Sequence, residues 1–133
     1  MVEELNQEMT KQAESLLAKA KEAALLAYAP YSNFQVGAAL LLADNSVVCG
    51  CNVENASYGA TMCAERVAIF SACAKGKLSP DMPPQMLAVT ALPCALCLQV
   101  LAEFAKPDLP IWVEGQGCFT LGELLPHSFK LQV

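Results

Sequence analysis

Two short runs hold the residues best suited to chemistry. One is Cys63-Ala64-Glu65-Arg66 and the other is Pro93-Cys94-Ala95-Leu96-Cys97. Cys94 and Cys97 are three apart, so on a helix their side chains share a face and can grip one ion. Cys63, from the other run, supplies a third ligand. Three protein ligands leave one tetrahedral position open to water, as in a catalytic zinc site, whereas a fourth protein ligand closes a structural one. Glu65 is close enough to Cys63 to sit beside a metal without binding it. A carboxylate there can take a proton from activated water and pass it to a substrate. Three thiolates outweigh the charge of a divalent ion, and the excess raises the pKa of bound water; Arg66 donating to a thiolate sulfur relieves it. Two alternatives stay open: a closed structural site with Cys73, Cys118 or His127 as fourth ligand, and a surface salt bridge for Arg66. Cys49 and Cys51 alternate along a predicted strand and read as small buried side chains.

Both runs stand where a helix is expected to begin, directly after a loop or strand. A helix N-terminus offers free N–H groups and the positive end of the dipole, and both favour thiolate over thiol. The first 29 residues read as one helix, with Leu5, Met9, Ala13, Leu16, Ala20, Ala24 and Ala27 on one face. Glu3, Glu4 and Glu8 crowd its first turns, and Pro30-Tyr31-Ser32-Asn33 reads as a turn. Residues 34–42 and 46–52 read as a hairpin about Asp44-Asn45, and 53–60 as a loop. A second helix is expected from Thr61 or Met62 to Cys73. Residues 85–92 read as a buried strand, and 93–105 as a helix with Pro93 at its first position. Residues 109–113 form a further strand and 121–125 a last short helix. Strands alternating with helices predict a layered α/β domain with a mixed sheet.

Composition narrows the functions available. The chain has 133 residues, 55% of them hydrophobic, yet no stretch reaches the roughly 20 apolar residues of a membrane span. Part of that excess suits a subunit interface. The net charge is −5 with scattered lysines and arginines, which argues against a polynucleotide partner. Met1 to Glu8 is acidic and polar, unlike a signal peptide. Seven cysteines, an odd number, read as thiols and metal ligands before disulfides in a cytosolic chain.

Longer motifs surround the two runs. They are Tyr31-Ser32-Asn33-Phe34-Gln35-Val36-Gly37-Ala38-Ala39, Gly50-Cys51-Asn52-Val53-Glu54-Asn55-Ala56-Ser57-Tyr58-Gly59, and Leu121-Gly122-Glu123-Leu124-Leu125-Pro126. With Cys63-Ala64-Glu65-Arg66 and the Pro-Cys-x-x-Cys run, they make the chain resemble the small homotetrameric zinc-dependent cytidine deaminases along nearly its whole length. The resemblance implies a single domain over 1–133, a three-layer α/β/α cytidine-deaminase-like fold with a central mixed β-sheet. It implies a cytoplasmic homotetramer of pyrimidine salvage that hydrolyses free cytidine and deoxycytidine to uridine and deoxyuridine. One Zn2+ per chain would be held by Cys63, Cys94 and Cys97, with Glu65 as proton shuttle and Arg66 behind the thiolates. Asn52 and Glu54 would bind the ribose, and Phe34 would pack on the cytosine ring. Ala56, Tyr58 and Phe129 would help form pockets at subunit contacts. The backbone amide of Cys94 and the carbonyl of Ala64 would meet the edge of the base.

The chain departs from the family's usual Pro-Cys-Gly-x-Cys-Arg-Gln at Ala95, at the bulky Leu96 and at Leu98, where a positive charge is lost. Rival readings are a deaminase for a related nucleoside analogue, a polynucleotide deaminase, and a zinc-stabilised nucleoside-binding protein with weakened activity. The acidic charge and short length disfavour the polynucleotide deaminase, and residues 52–59 favour ordinary cytidine.

Overall fold

Helix α1 (Val2–Ala24) buries a narrow stripe of small and branched side chains, Ala13, Leu16, Ala20 and Ala23. The structure, a computed structural model, describes residues 2–132; the side chains of Val2, Glu3 and Leu5 lie outside the described residues, as do the expectations placed on Glu3 and Leu5. The stripe packs on β1 (Gly37–Leu41), where Gly37 lets the helix lie almost on the strand. A Cβ at Gly37 would fall 1.8 Å from the carbonyl oxygen of Ala20.

The remaining elements are β2 (Val47–Cys51), α2 (Ala64–Ala74), β3 (Met86–Val89), α3 (Ala95–Ala102), β4 (Pro110–Val113), β5 (Gly117–Thr120) and α4 (Leu121–Leu124), with a 3-10 turn over Tyr58–Ala60. The strands form one mixed sheet in the order β2-β1-β3-β4-β5. β3 and β4 are parallel and every other neighbouring pair is antiparallel.

Alternation along the central strands divides the core in two. Ala38, Leu40, Leu87 and Val89 join the larger cluster with Ala68 and Ile69 of α2 and Leu98 and Leu101 of α3. Ala39, Leu41, Met86 and Ala88 join Ala13, Leu16 and Ala20 of α1. The sheet is therefore sandwiched between α1 and the α2–α3 layer, the three-layer α/β/α arrangement. β1 and β3, buried on both faces, are unbroken apolar runs for that reason.

Several boundaries differ from the sequence expectations, each for a local reason. α1 ends at Ala24 and not near residue 29. Leu25, Leu26 and Ala27 donate to carbonyls three residues back, and Tyr28 then turns away to bridge Val53. Met9, placed on the buried face, is 42% exposed because the sheet does not reach the first turns. β1 starts at Gly37 because residues 34–36 are tied to the side chain of Asn52. Pro93 precedes the cap residue Cys94 and is not the first helical residue. β5 was not expected: the strand is short, and its hairpin depends on Gly115 and Gly117 at φ of 75° and 100°. Cys49 is exposed and Cys51 half-buried, since β2 is an edge strand.

Candidate active site

The β3–α3–β4 crossover places the start of α3 just beyond the carboxyl end of β3, where open α/β sheets bind ligands. Cys94 caps α3 and Cys97 follows within its first turn, while Cys63 caps α2. Gly50 of β2 allows α2 to approach so closely: a Cβ there would lie 2.3 Å from the carbonyl oxygen of Ala64. Two helix N-termini thereby meet at one point.

Their sulfurs converge. Cys94 Sγ lies 3.4 Å from Cys97 Sγ and 3.9 Å from Cys63 Sγ. All three ligand atoms are within 4.8 Å of one another, and Cys73, Cys118 and His127 are not in the cluster. Tetrahedral bonds of about 2.3 Å to sulfur separate ligand atoms by about 3.8 Å, so the cluster fits zinc without rearrangement. The thiols differ in proton affinity. Burial pulls Cys94 upward, but backbone N–H groups of Cys97 and Leu96 and the neighbouring thiols outweigh it, leaving Cys94 below its ordinary value. Burial, followed by the nearby charge of Glu65, holds Cys97 far above its own. A divalent ion replaces those protons when it binds.

Glu65 is 4% exposed in the first turn of α2. Burial pushes its carboxyl above the ordinary range, partly offset by a hydrogen bond from the Cys97 thiol and by the charge of Arg66. A carboxyl raised in this way keeps its proton more readily than a solvated one, which suits a group that takes up a proton and returns it. Arg66 Nη2 donates to Cys63 Sγ at 3.4 Å, and that sulfur, ahead of burial's opposing effect, holds the guanidinium above its ordinary value. With Leu98 buried in the core at 5% exposure, Arg66 supplies positive charge on the α2 side of the cluster.

Beside the cluster lies a cavity of about 640 Å³, large enough for a nucleoside. Of the residues singled out from sequence, Glu54, Ala56, Tyr58, Cys63 and Arg66 line it. Leu96, one of the departures, forms part of its wall. Ser32 and Thr61 also line it and were missed by sequence reasoning, although Ser32 lay inside a quoted motif.

Glu54 Oε1 accepts from the backbone N–H groups of Tyr31 and Ser32 at 2.9 and 3.1 Å, and Oε2 accepts from the Ser32 hydroxyl. Asn52 faces inward: its Oδ1 accepts from Val36 N at 2.8 Å and its Nδ2 donates to Phe34 O at 2.9 Å. Phe34 is outside the lining and 60% exposed. Phe129 is 67% exposed, its carbonyl held by Gln99 on the outer side of α3. The carbonyl oxygen of Ala64 lies close to Gly50, and the N–H of Ala64, in the first turn of α2, has no intrahelical partner.

An α/β sheet presenting three cysteine sulfurs and a buried carboxylate from two helix N-termini defines a metal-dependent enzyme. Residues 10–112 match the family model described as the cytidine and deoxycytidylate deaminase zinc-binding region. The chain therefore belongs to that family of zinc hydrolases. Cytidine deaminase from Halalkalibacterium halodurans is 41% identical over 129 residues, spanning 88% of this chain and 93% of the relative. The crystal structure of cytidine deaminase from Burkholderia pseudomallei superposes with a TM-score of 0.78 at 44% identity, covering 87% of this chain and 98% of the other. That of cytidine deaminase from Mycobacterium tuberculosis gives 0.80 at 40% identity, covering 89% and 97%.

Proposed function

We propose that the chain hydrolyses free cytidine and deoxycytidine to uridine and deoxyuridine with release of ammonia. The observation that carries this reading is Glu65, buried and hydrogen-bonded by the thiol of Cys97, one of three convergent cysteines of which Cys63 lines a nucleoside-sized cavity. Cys63, Cys94 and Cys97 would hold zinc, which when bound would supply the Lewis acidity that brings the pKa of water towards neutrality. Glu65 accepts the proton that water releases as its oxygen adds to C4 of cytosine. The same carboxyl delivers that proton to N3, which makes C4 more electrophilic, and then takes the proton of the new C4 hydroxyl and passes it to the departing amino group. Water is thus added, ammonia lost, and Glu65 returned to its starting state.

The other roles follow the geometry. Glu54 accepts a sugar hydroxyl, while Asn52 supports the sugar site by fixing the backbone of 34–36. The backbone amide of Cys94 and the carbonyl of Ala64 meet the edge of the base. Arg66 keeps the thiolate charge from blunting the metal. Residues 1–133 act as a single domain of a cytoplasmic homotetramer in pyrimidine salvage. Phe34 packs on the cytosine ring, and Ala56, Tyr58 and Phe129 help form pockets at the subunit contacts; Tyr58 is 91% and Leu26 80% exposed.

The test is ultraviolet loss of cytidine with purified, metal-quantified protein beside Glu65→Ala. Turnover in the parent alone, with about one zinc per chain, supports the reading. A parent that holds zinc and leaves cytidine intact overturns it.

A further inference from the structure

The turn at residues 31–34 carries a hydrogen-bond arrangement not accounted for by the metal centre. Ser32 Oγ accepts from Phe34 N at 3.0 Å and donates to Glu54 Oε2 at 2.5 Å. Glu54 Oε1 already accepts two backbone N–H groups, from Tyr31 and Ser32. A carboxylate offers about four acceptor sites. Three are occupied by the turn, so the remaining one is on Oε2, the oxygen that Ser32 holds. Both residues line the cavity. Asn33, between Ser32 and Phe34, is in the left-handed region at φ 58°, and the Ser32–Phe34 contact closes the backbone around it.

We propose that Ser32 is a positioning residue: its hydroxyl aims the last free acceptor of Glu54 into the cavity for a sugar hydroxyl while holding the turn that presents Phe34. This rests on the reading of Glu54 as the sugar contact. The Ser32 hydroxyl is also the leading influence holding the Glu54 carboxyl below its ordinary value, ahead of the opposing effect of burial and the help of the Ser32 and Tyr31 amides. The other titratable groups bordering the cavity are Tyr31, Tyr58, Cys63 and Arg66. A serine that merely closed its own turn through Phe34 N, a common local motif, would have no influence on sugar affinity.

Three zinc-loaded proteins separate these roles: the parent, Ser32→Ala and Ser32→Thr. In Ser32→Ala, KM for cytidine rises about tenfold with kcat within about twofold, the lower range for losing a hydrogen bond to a charged group. The acid limb of kcat/KM moves to higher pH, and Ser32→Thr, which keeps the hydroxyl, restores both. An unchanged KM in Ser32→Ala, or a raised KM that Ser32→Thr fails to restore, overturns the proposal. Carbon-13 NMR titration of the Glu54 carboxyl provides a readout independent of turnover. An upward shift in Ser32→Ala supports the positioning role even if the parent leaves cytidine intact, and no shift overturns it.

Discussion

Glu65 combines near-complete burial with a hydrogen bond from the thiol of Cys97, a member of the three-cysteine cluster. Glu65→Gln keeps size and most polar contacts but cannot shuttle a proton. It is expected to retain zinc and fold while losing turnover by about 10²-fold or more, the scale of general acid–base catalysis, read by metal analysis and steady-state kinetics on one preparation. Leu98 poses a different question. Sequence comparison treats it as a lost arginine, but the side chain is 5% exposed within the main core. Leu98→Arg would force a cation among apolar neighbours, so we expect about 2 kcal/mol or more of destabilisation in denaturant titration. Glu54 sets the acid limit of its turn. Its folded pKa lies below the reference value of 4.5, so it contributes stability above that value and loses it as pH falls through the folded pKa. Protection of the Tyr31 and Ser32 amides, taken relative to their intrinsic exchange rates, should hold down to about pH 4.5 and fall only below it.

At the level of elements, two glycines do parallel work on opposite faces of the sheet. Gly37 admits α1 and Gly50 admits α2, each by backbone contact too close for a Cβ. Gly37→Ala and Gly50→Ala should each destabilise by about 1–3 kcal/mol, the range for overpacking. Their effects on metal should differ. α2 carries Cys63 and Glu65, so Gly50→Ala is expected to weaken zinc retention in a competition assay, whereas Gly37→Ala leaves it intact. The C-terminal segment depends on a smaller device: Gln99 donates to Phe129 O at 2.9 Å and accepts from Phe129 N at 3.5 Å. Gln99→Ala should speed proteolysis after residue 126 without changing the melting temperature. Most elements were legible in the sequence because long apolar runs and helical periodicity are local signals. The end of α1 and the existence of β5 were not. The first is decided by Tyr28 pairing with Val53, and the second by pairing of a four-residue segment against β4.

Over the whole molecule, the metal cluster joins α2 to α3 on one side of the sheet. Chelation should therefore lower the melting temperature by several degrees, since metal binding to the folded chain adds to its stability. Readdition of zinc should restore it, and a chelator-insensitive melt would speak against ligation by these cysteines. Among the described residues, no helix is long and apolar enough to cross a membrane. Exposed apolar side chains are instead scattered over the surface, with Leu25, Leu26, Tyr58 and Leu131 at 75%, 80%, 91% and 81% exposure. Sedimentation at working concentration should give a mass of four chains, and a monomer would overturn the proposed assembly. The net charge of −5 leads us to expect no deamination of single-stranded DNA under conditions where cytidine is consumed.

The sequence by itself determined the chemistry on offer: three cysteines and a glutamate at helix-start spacing, and apolar runs sufficient for a two-sided sheet. These follow from residue type and short-range periodicity, which survive without knowledge of the fold. Only the tertiary structure decided that Cys63 meets Cys94 across a gap of 31 positions. It alone showed Asn52 turned inward and the Glu54 carboxylate nearly filled by the 31–32 turn. Hydrogen-bond partners and burial depend on which distant segments the sheet brings together, and no local pattern encodes that.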